Sequence, residues 1–322
     1  MEADAMYFPY LRGRQFELLA LRELANQKLL GEHIIPIIEP VKLSSTLVNT
    51  LDVFVKNNQC IAVILNPMVG NFGSELEDIS DQERKSIYQT RFSDSLQSPF
   101  VIKSLIMQDN TQSWVNSLTK QNIEKGDLLA VNASRDHFSI YETEFSSVSP
   151  RYVLIPDEST FRRRVRKNKV LLDDKFEKQS KNAAYKEIDD EFFSDDHLYY
   201  KEDNFIGFSD YSIVGDEYSE SGFAPRAVAI HIVYLDAENN LRIHHFVSDS
   251  NEDYYNPAGK FYEAVSKLYA WYQNRKSSFK LTLGFKKFLE HYKDQSYPGL
   301  GTVKKLSIMH HLELMSIYLN EV

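Results

Sequence analysis

The stretch HIIPIIEP, residues 33–40, decides the fold prediction. Apolar residues fill its middle without alternating with polar ones, and the stretch ends on Glu39, which Pro40 follows. A short run that is apolar on both faces is typical of a strand in a parallel sheet, because helices cover both faces of such a sheet. The sequence therefore predicts a buried strand that ends in a carboxylate.

Seven other runs share this character, and amphipathic segments separate most of them. The predicted strands are 7–11, 34–38, 60–65, 100–107, 128–131, 152–155, 170–172 and 205–208. The predicted helices between them are 14–30, 44–58, 80–96, 111–124 and 161–166. Eight buried strands alternating with helices predict an α/β fold of the (β/α)8 TIM-barrel-like class, within residues 6–215.

An open doubly wound α/β sheet is the alternative architecture. The connections after the fifth and sixth strands are short, and no clean helix is predicted between 136 and 150. The segment 174–193 is polar and is predicted to be irregular or helical.

The chain changes character after residue 215. The runs AVAIHIVYL (227–235) and LRIHHFV (241–247) flank DAENN and predict a β-hairpin, with His231 opposite His245. Helices are predicted at 257–273, 281–291 and 301–319, so residues 216–322 are expected to be a hairpin-and-helix extension packed on the barrel. Two cross-strand histidines can bind a metal ion, but no third ligand is visible, so no metal site is assigned.

Composition limits the function classes. The chain has 322 residues and a net charge of −9, which does not favour direct binding of nucleic acid. Its one cysteine, Cys60, excludes an internal disulfide and fits a reducing compartment. No apolar run approaches the roughly 18 residues of a membrane span, and the N-terminus lacks the features of a signal peptide. A cytoplasmic protein without a membrane partner is expected.

Polar residues follow nearly every predicted strand, where a parallel barrel places its active site. The candidate catalytic residues are Glu39, Lys103, Asp157, Asp173 and Asp210. The candidate substrate-binding residues are Arg12, Arg14, Asn66, Asn132, Arg135 and Tyr211. Because strands also end where the chain meets water, turn and cap roles are the alternative for each of these residues.

Two other charged features, Lys103 and one basic segment, each have two possible interpretations. Lys103 interrupts an apolar strand, so it is predicted to point into the barrel or to mark the solvated end of a shorter strand. The run FRRRVRKNK (161–169) is the only dense basic segment, and either contacts phosphate or an acidic partner or forms a solvated helix face. The sequence contains no P-loop, GxGxxG, HExxH or GxSxG motif.

Several motifs resemble the bacterial and phage "beta protein" family and its close relatives. They are YFPYLRGRQFELLALREL, IIPIIEP, VILNP, DYS and LGTVKKLSIMHHLEL, and they span nearly the whole chain from Met6. The matching motif positions include Arg12, Glu39, Asn66, Asp210 and Tyr211. Some close relatives are encoded beside a small nuclease-like protein, so the resemblance implies a two-protein system with a role in defence against phage. The family supplies no accepted catalytic residue.

Two functions follow as expectations. The first is a partner-binding component of a bacterial two-protein system that acts with the nuclease-like protein through a barrel scaffold. The second is a barrel enzyme that acts on a phosphorylated or nucleotide-like substrate, with the carboxylates as acid, base or Mg²⁺ ligands. Enzyme status and cofactor identity are left open, with Mg²⁺ as the candidate.

Overall fold

The computed structural model describes residues 6–77, 83–219 and 225–321, and these residues form eleven strands and eleven α-helices. The strands are β1 Tyr10–Leu11, β2 Ile37–Ile38, β3 Ile61–Ile64, β4 Val101–Ile106, β5 Leu129–Val131, β6 Tyr152–Ile155, β7 Lys169–Asp173, β8 Asp190–Ser194, β9 Gly207–Asp210, β10 Ala229–Leu235 and β11 Leu241–Val247. The helices are α1 Gln15–Asn26, α2 Ser45–Lys56, α3 Phe72–Glu77, α4 Glu83–Leu96, α5 Thr111–Lys120, α6 Phe138–Glu144, α7 Ser159–Arg164, α8 Asp196–Tyr199, α9 Pro257–Gln273, α10 Leu283–Lys293 and α11 Leu300–Glu321.

Eight parallel strands form a nearly closed barrel. They pair in the order β1-β2-β3-β4-β5-β6-β7-β9. Tyr7 bridges to both Ile34 and Phe208, and the backbone N–H of Phe8 donates to the carbonyl of Phe208 at 2.8 Å. The first strand therefore meets the last, which confirms the (β/α)8 TIM-barrel-like fold and excludes the open sheet.

Alternate residues of the barrel strands share one buried cluster, as expected for side chains that fill a barrel. Its members are Phe8, Tyr10, Ile35, Ile37, Ala62, Ile64, Ile102, Ile106, Leu129, Val131, Tyr152, Leu154, Val170, Leu172 and Tyr211. Because side chains along a strand alternate between its two faces, the intervening residues face the helix layer.

The first two helices show how the sequence sets this layer. Ser44 accepts a hydrogen bond from the N–H of Leu47 at 3.2 Å and caps the start of α2. Helix α1 ends before Lys28 and α2 before Asn58, both of which have left-handed backbone conformations. The two helices pack side by side. Buried apolar residues of α1 recur three and four residues apart, as Leu18, Leu21 and Ala25 do, and so form one face of the helix.

The chain divides into two compact units. The first comprises Met1–Asp173 and Asp196–Tyr211, and contains the barrel. The second comprises Asp174–Asp195 and Ser212–Val322. Its antiparallel sheet has the order β10-β11-β8, and α11 packs against β10. The predicted hairpin is confirmed, with His231 opposite His245.

Two local predictions need correction, and a third is described only in part. The segment 174–193 is not only irregular or helical, because it contains β8, which pairs with β11. A helix, α6, lies between 136 and 150, where none was predicted. The predicted helix 80–96 corresponds to α4 from Glu83, while its first three residues lie outside the described residues.

Within the described residues, no helix combines the length and the apolar character that crossing a membrane requires.

Candidate functional site

The register of β1 and β2 brings Arg12 and Glu39 together at the carboxyl ends of the barrel strands. Tyr10 pairs with Ile37 and Leu11 with Ile38, and the N–H of Glu39 donates to the carbonyl of Leu11 at 2.8 Å. The chain turns immediately afterwards at Gly13, which has a φ of +64°. A Cβ at Gly13 would lie 3.1 Å from the carbonyl oxygen of Glu39, so this close turn favours glycine.

Glu39 is fully buried and is bonded through both carboxylate oxygens. Tyr10 Oη donates to Oε2 at 2.7 Å, and Arg12 forms an ion pair with the same oxygen. The backbone N–H of Met68 donates to Oε1 at 2.8 Å. A carboxylate with this many charge-assisted donors is held in one position.

Arg12 lies against two aromatic rings. Its guanidinium is 5.3 Å from the ring centres of both Tyr10 and Tyr211, and the two ring centres are 4.9 Å apart. Both contacts have cation–π geometry. Tyr10, Arg12, Glu39 and Tyr211 form one unit, called here the rim cluster.

Charge and burial fix the protonation of Tyr10 and Arg12. Burial raises the pKa of Tyr10 well above 10, and neighbouring Glu39 raises it further. Burial opposes the charge on Arg12, but Tyr10 and Glu39 outweigh it and raise the pKa of the guanidinium. Tyr10 therefore stays a neutral donor and Arg12 a cation at neutral pH. Only 14% of the Arg12 side chain is exposed, so little of this charge reaches solvent.

Asp210 lies on the other face of its strand from the rim cluster. Its Oδ1 accepts a hydrogen bond from Tyr7 Oη at 2.7 Å, and Tyr7 stacks on Phe208 with ring centres 5.0 Å apart. Tyr211, the next residue, belongs to the interior cluster. Alternation along the strand therefore places Asp210 and Glu39 on opposite faces of the barrel wall.

Two asparagines at strand ends have contrasting surroundings. Asn66 donates to the carbonyl of Ile106 at 2.8 Å and accepts from its N–H at 2.9 Å, so it extends the pairing of β3 with β4. Asn132 is also fully buried, yet neither side-chain amide atom makes a hydrogen bond to any residue that the structure describes. An unsatisfied buried amide is rare in proteins and requires an explanation.

Lys103 occupies neither of its two predicted positions. It lies in the middle of β4, and its neighbours Ile102 and Ile106 mark the opposite face as the barrel interior. Burial lowers its pKa, and Asp127, which precedes β5, partly opposes this effect. Lys103 therefore lies on the outer face of the strand, three residues before its last residue, Ile106.

The remaining sequence candidates lie at the surface. Asp157 pairs with Arg162 at 2.8 Å, and Arg135 pairs with Glu158. Asp173 is exposed, and Arg14 is the N-cap residue of α1. Among residues 6–77, 83–219 and 225–321, no group of three or more His, Cys, Asp or Glu side chains is placed to hold a metal ion.

Sequence reasoning missed three contributors to these contacts. They are the hydroxyl groups of Tyr10 and Tyr7 and the backbone N–H of Met68. The signal for Tyr10 was present, because a residue two positions before Arg12 on a strand shares its face. The Met68 amide gave no sequence signal, since any residue carries a backbone N–H.

Comparisons with models of protein families, with curated proteins and with solved structures find no match to this chain.

Replacing Asn132 with leucine should raise the free energy of unfolding by about 1–3 kcal/mol, the cost of an unsatisfied buried polar group. Urea unfolding of the two proteins measures the difference. Asn66→Leu is the matched control and should destabilise, because it removes two hydrogen bonds to Ile106. A loss of stability in Asn132→Leu would mean that a retained water or ligand satisfies this amide.

Proposed function

We propose that the chain belongs to the "beta protein" relatives and is the partner-binding component of a bacterial two-protein system, acting with a nuclease-like companion. In this proposal the barrel is a scaffold. The observation that carries it is the state of Glu39, which is fully buried and bonded through both carboxylate oxygens.

A catalytic acid or base must come within hydrogen-bond reach of its substrate. Glu39 exposes no surface, and the apolar interior cluster fills the barrel beneath it. Asp157 and Arg135 are paired with neighbouring surface residues. These features fit a barrel in which polar strand ends stabilise the fold.

The basic segment 161–169 is the surface that we assign to the companion. Arg162 and Arg164 are committed to ion pairs with Asp157 and Glu142. Arg163 and Arg166 are exposed and form no ion pair with any described residue. On a chain with a net charge of −9, such a patch suits a carboxylate-bearing surface and steers its approach.

Native mass spectrometry after co-expression with the neighbouring gene product tests the proposal. We expect a mass equal to the chain plus the companion. The double variant Arg163→Glu/Arg166→Glu should reduce the complex at least about tenfold, since like charges would then face each other. The control Lys56→Glu/Lys120→Glu makes the same change in charge at exposed positions on other helices and should leave the complex intact. Recovery of the chain alone under gentle conditions would contradict the proposal.

A second function, a barrel enzyme that binds a phosphorylated or nucleotide-like substrate, would need a polar group that a ligand can reach. The amide of Asn132 at the end of β5 is unsatisfied, but Asn132 exposes no surface. Its neighbour Val131 belongs to the interior cluster, so Asn132 lies on the outer face of the barrel wall. We therefore keep the scaffold as the proposed function.

A further inference from the structure

A cavity of about 370 Å³, called here the Arg275 cavity, lies in the second unit. The turn of the β10–β11 hairpin and the connection between α9 and α10 supply most of its lining. Its size is near the lower end of the range for small-molecule sites. Its apolar lining includes Leu235, Phe279 and Leu314. Three charged side chains also line it, and they are Asp236, Arg275 and Lys280.

Two of these charges are balanced by neighbouring groups. Lys280 Nζ lies 2.6 and 2.8 Å from the two carboxylate oxygens of Glu321. Burial opposes the ionisation of Asp236, but hydrogen bonds from Asn240 and the charge of Arg242 outweigh it and lower its pKa. Neither side chain therefore offers an unbalanced charge to a ligand.

Arg275 is half-buried and has no counter-charge of this kind. Its guanidinium lies 4.4 Å from the ring centre of Trp271 and 6.0 Å from that of Tyr234, and both contacts have cation–π geometry. Contacts with ring faces leave most of the five N–H donors of a guanidinium available. These donors form no hydrogen bond or ion pair with any residue that the structure describes.

The surroundings of Arg275 hold the cation in place. The N–H groups of Ser278 and Phe279 donate to the carbonyl of Arg275 at 3.1 and 3.0 Å, which closes the turn after α9. Trp271 is 9% exposed, and its ring meets those of Phe279 and Tyr234 edge-on, with centres 5.5 and 5.1 Å away. Because the platform under the guanidinium is packed before a ligand arrives, the entropy cost of binding is reduced.

The chemistry of the cavity favours a singly charged anion. A carboxylate carries one charge and matches the fork of a guanidinium through two parallel hydrogen bonds. A phosphate monoester carries about 1.5–2 negative charges at pH 7, more than one guanidinium balances. The apolar part of the lining suits a ligand whose body is a hydrocarbon.

We propose that the Arg275 cavity binds a small monocarboxylate with an apolar body. The carboxylate accepts hydrogen bonds from the guanidinium of Arg275, and the body contacts Leu235, Phe279 and Leu314. This site lies wholly within the second unit and does not depend on the proposed companion.

Titration of the full chain with 4-phenylbutanoate tests the proposal, with the fluorescence of Trp271 as the signal. A Trp114→Phe background leaves Trp271 as the only tryptophan. We expect saturable binding with a dissociation constant on the order of 0.1–1 mM. The uncharged 4-phenylbutanamide should bind at least about tenfold more weakly, because it cannot form the charged pair of hydrogen bonds.

A charge-removing variant and a matched control assign the binding to Arg275. Arg275→Met removes the charge and keeps an apolar stem that can pack on Trp271. It should weaken 4-phenylbutanoate at least about tenfold and leave 4-phenylbutanamide unchanged. Lys276→Met removes an exposed positive charge from the next residue, which does not line the cavity, and should change neither. Circular dichroism checks that both variants are folded.

A more conservative variant keeps the test decisive if Arg275→Met fails to fold. Arg275→Lys retains the charge and loses the planar fork, so its affinity for 4-phenylbutanoate should lie between those of the parent chain and Arg275→Met. The proposal would be overturned by no saturable binding in fluorescence or calorimetry, by equal affinities for 4-phenylbutanoate and its amide, or by equal affinities of Arg275→Met and Lys276→Met. Tighter binding of 2-phenylethyl phosphate than of 4-phenylbutanoate would overturn the choice of a singly charged ligand.

Discussion

Replacing Glu39 with alanine should lower the free energy of unfolding of the barrel unit by about 3–5 kcal/mol, the effect of breaking a buried ion pair from one side. The variant leaves the charge of Arg12 buried and removes the acceptor of Tyr10 Oη and of the Met68 N–H. Urea unfolding measures the loss. Trp114 reports on this unit in a Trp271→Phe background, since the chain has only these two tryptophans.

A double-mutant cycle separates the ion pair from the rest of the site. Arg12→Met/Glu39→Leu should be clearly less destabilised than the sum of its single variants, because no buried charge is left unpaired. The exposed pair offers the control: Glu158→Ala, which loses Arg135, should cost at most about 1 kcal/mol. If Glu39→Ala lost as little stability as Glu158→Ala, Glu39 would not have the structural role assigned to it. A catalytic role for Glu39 would then have to be considered again.

Replacing Asp190 with alanine should destabilise the second unit by about 2 kcal/mol, the value that corresponds to its shifted pKa. Burial raises the pKa of Asp190, but hydrogen bonds from His244, Tyr234 and Arg242 outweigh it and bring the pKa to about 2. The side chain is 23% exposed, so solvent screens this contribution only in part. Trp271, which stacks on His244, is the local reporter in a Trp114→Phe background.

The sign of the pH effect follows from the lowered pKa. The folded unit holds the ionised form of Asp190 more firmly than the unfolded chain, whose aspartate has a pKa near 3.9. The contribution is therefore fully present above about pH 4 and is lost as the pH falls towards 2. The stability difference between the parent chain and Asp190→Ala should shrink over this window. A difference that stays constant from pH 7 to pH 2 would contradict the assignment.

The barrel strands were predictable because burial on both faces leaves a pattern in the sequence. The hairpin register was also predictable, because the DAENN turn determines which residues face each other. Strand β8 was not predictable, because DEFFS is mostly polar and its partner β11 lies far along the chain. Tertiary pairing, rather than local preference, makes it a strand.

The candidate site was predictable only in part. Arg12 follows β1 and Glu39 follows β2, and both continue the inward-facing positions of their strands. Their contact could therefore be expected from the sequence. The same alternation places Lys103 on the outer face once Ile102 and Ile106 are known to face the interior. The sequence of an apolar strand does not reveal which face that is. The isolation of the Asn132 amide depends on the packing of distant segments and leaves no local signal.

The position of strand β8 in the chain affects the order in which the two units can fold during synthesis. The chain leaves the barrel unit after Asp173, supplies β8 to the second unit, and returns for β9, the last barrel strand. On the ribosome, β9 emerges before β11, so the barrel can close while β8 still awaits its partner. A fragment ending at residue 211 would carry this strand with both edges unpaired, which invites aggregation. No single cut in the chain separates the two units, and a barrel expressed alone would need a short linker in place of residues 174–195.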